Sequence, residues 1–218
     1  MFHKEEVQEI LAQARHMDPG LEIPGVSEHQ YKLKPPVDLA FVRAVEEEYH
    51  FRLPEDYVQF ITEVGDGGAG PGYGLYSFGF YRTEAKSARE ARMRESYLSG
   101  LSKDPQLLPL EPDELEYFCI TEEDYQQNPG KYFGTGSYNT DNDVPNGFFH
   151  LGTYGCARDY GLITCGERHG QIFINDIEGA FELEAGSFQA FYQDWLDFIS
   201  DTEGFRKELK MWRGIRSR

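Results

Sequence analysis

Apolar residues recur along the chain at two spacings, and the order of those spacings predicts the fold. Val7, Ile10, Leu11 and Ala14 repeat along one helical face, which predicts an amphipathic helix over residues 4–16. Pro19, Gly20, Pro24 and Gly25 then interrupt the chain. Pro35 and Pro36 open a second helix, with Val37, Phe41, Ala44, Val45 and Tyr49 facing inward and Glu46 to Glu48 mostly outward. The clearest helix is Leu53 to Gly65, where Tyr57, Phe60, Ile61 and Val64 fall at i, i+3, i+4 and i+7. Pro54 suits its first turn, Glu55 and Asp56 complement its positive end, and Gly65 supplies a stop.

Six glycines within residues 65–74 follow, a density that calls for left-handed backbone or close backbone approach. Residues 75–80 read as a short strand, and 84–98 as a charged helix with a thin contact side of Ala85, Ala88 and Met93. Residues 105–112 read as loop, 115–120 as strand, 122–127 as one helical turn and 128–147 as loop. Strand-like runs then come at short intervals, at 148–151, 160–165, 171–175 and 180–183. Gly152, Gly155, Gly166 and Gly170 punctuate them, the pattern of an antiparallel meander. Ser187 caps a helix with Phe188, Phe191, Tyr192, Trp195 and Phe198 in its stripe, and a last helix carries Phe205, Leu209 and Trp212. Helices, then meander, then helices is an α+β order rather than alternating βαβ units.

Composition narrows the function. At 218 residues the chain suits one domain with extensions. No apolar run approaches the roughly 20 residues of a membrane span. The charged start MFHKEEVQEI lacks the apolar stretch of a signal peptide. Three cysteines, Cys119, Cys156 and Cys165, make an odd number without framework spacing, so an intracellular, cytoplasmic setting is expected. The net charge of −17 repels nucleic acid and anionic membranes and attracts basic proteins. Residues 203–218 hold six cations against two carboxylates, a +4 tail that leaves −21 on residues 1–202. The apolar side of that tail is expected to dock on the body.

The motifs that would carry chemistry are missing their context. Gly65 to Gly70 resembles G-x-G-x-x-G, but a helix precedes it and no lysine lies within it, so neither dinucleotide nor P-loop binding follows. His150, Cys156, Cys165 and His169 contain no C-x-x-C or H-x-x-x-H pair. Asp141, Asn142 and Asp143 begin like a calcium loop that Pro145 and Gly147 break. There is no G-x-S-x-G or H-E-x-x-H. Between Glu111 and Asp143, by contrast, nine carboxylates face one lysine, with Tyr117, Tyr125, Tyr132 and Tyr138 interleaved. Tyrosine beside carboxylate gives rigid contact area plus charge for a basic partner.

Two segments carry a family resemblance. Leu53 to Tyr57 with Phe60, followed by Val64 to Tyr76, resembles the helix and glycine-loop signature of the SUKH superfamily, relatives of the fungal Smi/Knr cell-wall assembly regulators. His150 to Gly152, Gly155-Cys156, Tyr160, Leu162-Ile163, Gly166, Gly170 to Phe173, Ser187-Phe188 and Trp195-Leu196 resemble that family's C-terminal half. The match covers roughly residues 36–200, with Phe173 where the family has tryptophan and a long insertion around 83–147.

The resemblance implies an α+β fold with a curved, mainly antiparallel sheet flanked by helices. It divides the chain into an N-terminal helical extension (1–35), the SUKH-like domain (36–200) and a basic C-terminal helix (201–218). In function it implies a non-catalytic bacterial immunity protein that binds and neutralises a cognate basic toxin, a nuclease among the candidates. No catalytic residue, cofactor or metal is expected, and neither nucleic acid nor membrane is an expected partner. The candidate partner-binding residues are Tyr73, Tyr76, Glu122, Glu123, Asp124, Asp141 and Asp143. Two rival readings are a regulatory scaffold without a toxin partner and a hydrolase with a site assembled from distant residues.

Overall fold

The strands within residues 148–185 place apolar side chains at both odd and even positions, Phe148 beside Phe149 and Ile172 beside Phe173, the pattern of a sheet covered on both faces. A computed structural model describes residues 1–111, 114–118, 120–128, 130–135, 138–139, 144–175 and 179–216. Its strands are β1 (Leu107–Pro109), β2 (Tyr132–Thr135), β3 (Tyr138–Asn139), β4 (Val144–Pro145), β5 (Phe148–Gly155), β6 (Arg158–Ile163), β7 (Ile172–Asn175) and β8 (Ala180–Ala185). Six of them form one antiparallel sheet in the order β1-β2-β8-β7-β6-β5, and β3 pairs with β4. Register shifts at His150/Gly152 and Thr153/Gly155 bend β5, and another at Ile172/Phe173 bends β7. Such bulges add local twist and curve the sheet.

The helices are α1 (Lys4–Met17), α2 (Val26–His29), α3 (Leu39–Glu48), α4 (Glu55–Gln59), α5 (Ala88–Gly100), α6 (Glu114–Tyr117), α7 (Glu122–Gln127), α8 (Phe188–Ser200) and α9 (Thr202–Arg216). On one sheet face Phe149, Leu151, Tyr160, Leu162 and Ile174 join the main core. Aromatic rings knit α4 and the following π turn to α8: Tyr57 lies 4.9 Å from Phe188 and Phe60 4.5 Å from Tyr192, centroid to centroid. On the other face Phe133, Phe148, Ile163, Phe173 and Phe181 make a smaller core. Phe148 lies flat on Gly161, where any Cβ would collide with its ring.

Both ends of the chain enter the main core. Val7, Leu11 and Ala14 of α1 are buried in it, and Phe2 meets Phe60 and Tyr192 edge-on. Phe205 and Leu209 of α9 are buried, and Arg213 Nε donates to Glu22 Oε2 at 2.8 Å. Among the described residues no helix is long and apolar enough to cross a membrane.

The α+β order is as expected, but several local expectations fail for identifiable reasons. Glu46 is buried rather than outside, because its carboxylate accepts the Leu53 N–H and the Arg43 guanidinium, each at 2.7 Å. Ala44 is exposed, and Val42 takes its place inside. The helix at 53–65 starts later and ends as a π turn over Phe60–Val64. Gly65 ends the turn as expected, by close approach and not left-handed backbone: it is extended, and a Cβ there would stand 2.8 Å from Leu33 Cβ.

Residues 75–80 are not a strand. Leu75 makes bridges only, and Phe78–Arg82 form a 3-10 turn. Buried Asp66 caps that turn by accepting the Phe78 and Gly79 N–H groups at 2.7 and 2.8 Å. In α5 the inward residues are Tyr97 and Leu98, while Ala88 and Met93 face solvent. Residues 107–109 and 132–135 are strands where loop was expected, held by pairing to each other and to β8. Residues 114–117 are helical where strand was expected, with Leu115 buried. Phe198 is exposed, and Leu196 and Ile199 fill the inner face of α8.

Candidate functional site

The glycine loop lies along β5, the last strand of the sheet. Leu75 bridges Gly152 in antiparallel register, and the Tyr73 and Tyr76 N–H groups donate to Thr153 and Leu151 carbonyls at 3.0 and 2.6 Å. This pairing needs backbone against backbone. A Cβ on Gly152 would strike the Gly74 carbonyl oxygen, and one on Gly72 would stand 2.6 Å from that of Thr153. Gly72 and Gly74 also take positive φ, +58° and +91°. The loop therefore covers hydrogen-bonding groups that an edge strand would otherwise expose.

With its backbone paired, the edge displays side chains. Tyr73, Tyr154 and Tyr76 are 42, 48 and 51% exposed. Tyr73 rests on Gly155, where a Cβ would be 2.8 Å from its ring. Tyr154 meets Tyr160 edge-on at 5.7 Å, and the Arg158 guanidinium lies 5.3 Å from the Tyr154 ring centre. Partial burial and then Asp159 hold the Tyr76 hydroxyl above the usual phenol range.

Carboxylates stand behind these rings. Glu182 accepts from Lys131 at 2.7 Å and from Arg158 at 3.0 Å. Glu184 is held above the usual carboxylate range, by burial first and then by Glu182, with Asp194 adding to it. Glu184 also acts on Tyr160, the buried β6 residue that Tyr154 meets edge-on. A carboxylate crowded by others binds an incoming cation more readily.

The seven residues expected from sequence separate. Tyr73 and Tyr76 are at the β5 edge. Glu122, Glu123 and Asp124 form the exposed first turn of α7. That helix is tied to the opposite end of the sheet, because Tyr125 Oη donates to the Leu110 carbonyl, next to β1, at 2.7 Å. Five strand spacings make the separation on the order of 20 Å. The α7 carboxylates also have local work: Asp124 N–H donates to the Thr121 cap at 3.1 Å, and Glu122 and Glu123 accept from Gln126 and Gln127. Asp141 and Asp143 lie outside the described residues.

Tyr154, Glu184 and Asp194 were missed by sequence reasoning. The signal for Tyr154 was a tyrosine between Gly152 and Gly155; the two carboxylates carried none, being single charges on an alternating strand and a helix. Among the described residues, no group of three or more His, Cys, Asp or Glu could hold a metal ion.

No curated protein and no solved structure matches the chain. The model of the SMI1/KNR4 family (SUKH-1) matches residues 36–194, which takes in the glycine loop, the six-stranded sheet and the first half of α8. The chain belongs to the SMI1/KNR4 (SUKH-1) family.

Proposed function

We propose that this chain is a non-catalytic protein-binding module of the immunity type, which grips a basic partner such as a secreted toxin domain. The observation that carries the reading is the β5 edge: three half-exposed tyrosines on a backbone whose hydrogen bonds are already made, backed by crowded carboxylates. Tyrosines held this way lose little entropy on binding and fit the centre of an interface. Glu184 and Asp194 supply charge beside them. Glu122, Glu123 and Asp124, with Asp141 and Asp143, add to the net −17 that steers a cation-rich partner from a distance. A nuclease, basic because it holds nucleic acid, suits such a surface.

The test is capture of partners from the native cell, followed by titration of the captured protein at two salt concentrations. The expected partner is basic, binds one to one, and weakens at least tenfold between 50 and 200 mM salt. Glu184→Lys with Asp194→Lys weakens it further. A captured partner that is acidic, or an affinity indifferent to both salt and charge reversal, contradicts the reading.

A further inference from the structure

A groove separate from the tyrosine edge runs between α5 and the 3-10 turn at Phe78–Arg82. Phe80 and Tyr81 of the turn, Met93, Arg94 and Tyr97 of α5, and His150 of β5 line it. Its volume is about 440 Å³, within the range of small-molecule sites. Tyr81 and Tyr97 stack at 6.2 Å with their planes 17° apart. Phe80 and Met93 are 49 and 45% exposed. The lining is thus apolar and largely aromatic, with flat surfaces on which a ring can stack.

One end is cationic. Ser87, Arg89 and Glu90, the first turn of α5 and its cap, lie about two helical turns from Tyr97, roughly 12 Å. Residues 84–95 carry four cations, Lys86, Arg89, Arg92 and Arg94, against Glu84, Glu90 and Glu95, a local +1 on a chain of −17. Glu90 is already committed, accepting from Arg94 and from the Lys86 N–H. Arg94 is held in turn by the Thr83 carbonyl at 2.7 Å and by the Phe80 ring at 4.0 Å. Among the described residues, the Arg89 and Arg92 guanidinium groups have no ion-pair or hydrogen-bond partner. At physiological salt screening weakens charges farther than about 8 Å, so a ligand in the groove feels Arg89 and Arg92 more strongly than the distant acidic surface.

His150 adds a further unspent group. Its Nδ1 is 3.6 Å from Asp159 Oδ2, and among the described residues its buried Nε2 makes no hydrogen bond. Burial, working against Asp159, holds the imidazole below its ordinary range, so it is neutral and adds no charge to the aromatic end. A buried polar atom without a partner is costly.

We propose that this groove binds an anionic aromatic small molecule, its planar ring against Phe80, Met93 and Tyr97 and its carboxylate or phosphate on Arg89. The two ends of the groove require the two halves of such a ligand: stacking surface near His150 and negative charge at the start of α5. The site does not depend on the partner-binding reading, since it shares no residue with the β5 tyrosines.

The experiment titrates the purified full chain, by calorimetry and by NMR, with two anionic aromatic probes, indole-3-acetate and adenosine monophosphate. Indole, adenosine and inorganic phosphate are the matched controls. At least one anionic probe is expected to saturate, at least tenfold tighter than its uncharged counterpart and than phosphate. The larger of the two gains over the matched uncharged ring identifies the anion as carboxylate or phosphate. Arg89→Glu, on an exposed position, should lower that affinity at least tenfold with the circular dichroism unchanged, and Lys207→Glu on α9 should leave it as it was. The proposal is overturned if neither probe saturates, if the uncharged rings bind equally well, or if Arg89→Glu has no effect.

Discussion

At the β5 end of the sheet, Gly68, Gly72, Gly74 and Gly152 each lie so near another backbone carbonyl that a Cβ would collide with it or crowd it. At the β1 end, a Cβ on Gly130 would meet nothing within 4 Å, and one on Gly134 would make ordinary contact with Leu110 at 3.4 Å. The first region is built by backbone fitting against backbone, and its exposed tyrosines are held by that fit. The second is built by side chains on short strands and a two-turn helix, and its exposed carboxylates are held only by hydrogen bonds within that helix and its cap. A surface of the first kind can present a fixed shape to a partner; one of the second kind contributes charge and little shape.

The sharpest way to break this contrast is to add one methyl group at each end. Gly68 has φ +94°, and its Cβ would strike the Lys32 carbonyl oxygen. Gly68→Ala is expected to cost at least about 3 kcal/mol, combining backbone strain with overpacking. Gly130→Ala should stay within about 0.5 kcal/mol. Urea denaturation of both variants checks the pair, and equal losses would erase the distinction.

A second effect, nearly as large, is set by pH. His29 packs under the glycine loop, edge-on to Trp195 at 6.0 Å, and its Nδ1 accepts the Tyr31 N–H at 3.0 Å. Burial lowers its pKa from 6.5 to about 4. The unfolded chain therefore takes up a proton at a higher pH than the folded one, and His29 favours folding fully only above pH 6.5. That contribution, about 3 kcal/mol, is lost as the pH falls from 6.5 to 4. Stability measured at pH 7 and pH 4.5 should drop by most of this amount, and His29→Gln should flatten the dependence. An unchanged slope in the variant would remove His29 from the account.

A smaller change sharpens the comparison at the other end. Thr121 caps α7 by accepting the Asp124 N–H. Thr121→Ala should cost about 1 kcal/mol and leave the β5 edge untouched. Hydrogen exchange confined to residues near α7 would agree; exchange spreading to residues 73–76 would show the two ends to be coupled.

The same contrast explains what could be read from the sequence. The helices at both termini, the capped α8 and the strands from 148 to 185 were legible, because long runs of apolar residues at one period leave few alternatives. So was the conformational demand of the glycine loop. β1 and β2 were not legible: three or four residues beside Gly, Pro and Asn gain their structure only by pairing, β1 with β2 and β2 with β8. Leu115 to Ile120 looked like a strand because nothing local shows that one buried leucine is all the segment needs. Glu46 was placed outside because a charge is usually solvated, and only the folded chain shows the Leu53 N–H that requires it. Of the candidate surface, Tyr73 and Tyr76 were visible as tyrosines in the loop. Tyr154, Glu184 and Asp194 join them only through strand register and the packing of α8 on Tyr160.

The most direct test is the affinity of the doubly substituted chain, Tyr73→Ala with Tyr154→Ala, for the captured basic partner, set beside the chain carrying Glu122→Lys, Glu123→Lys and Asp124→Lys. The account predicts a loss of at least a hundredfold, about 2.7 kcal/mol, for the tyrosine pair in a folded protein, and a smaller, salt-dependent loss for the charge reversals. A tyrosine pair that binds as tightly as the unmodified chain would contradict it.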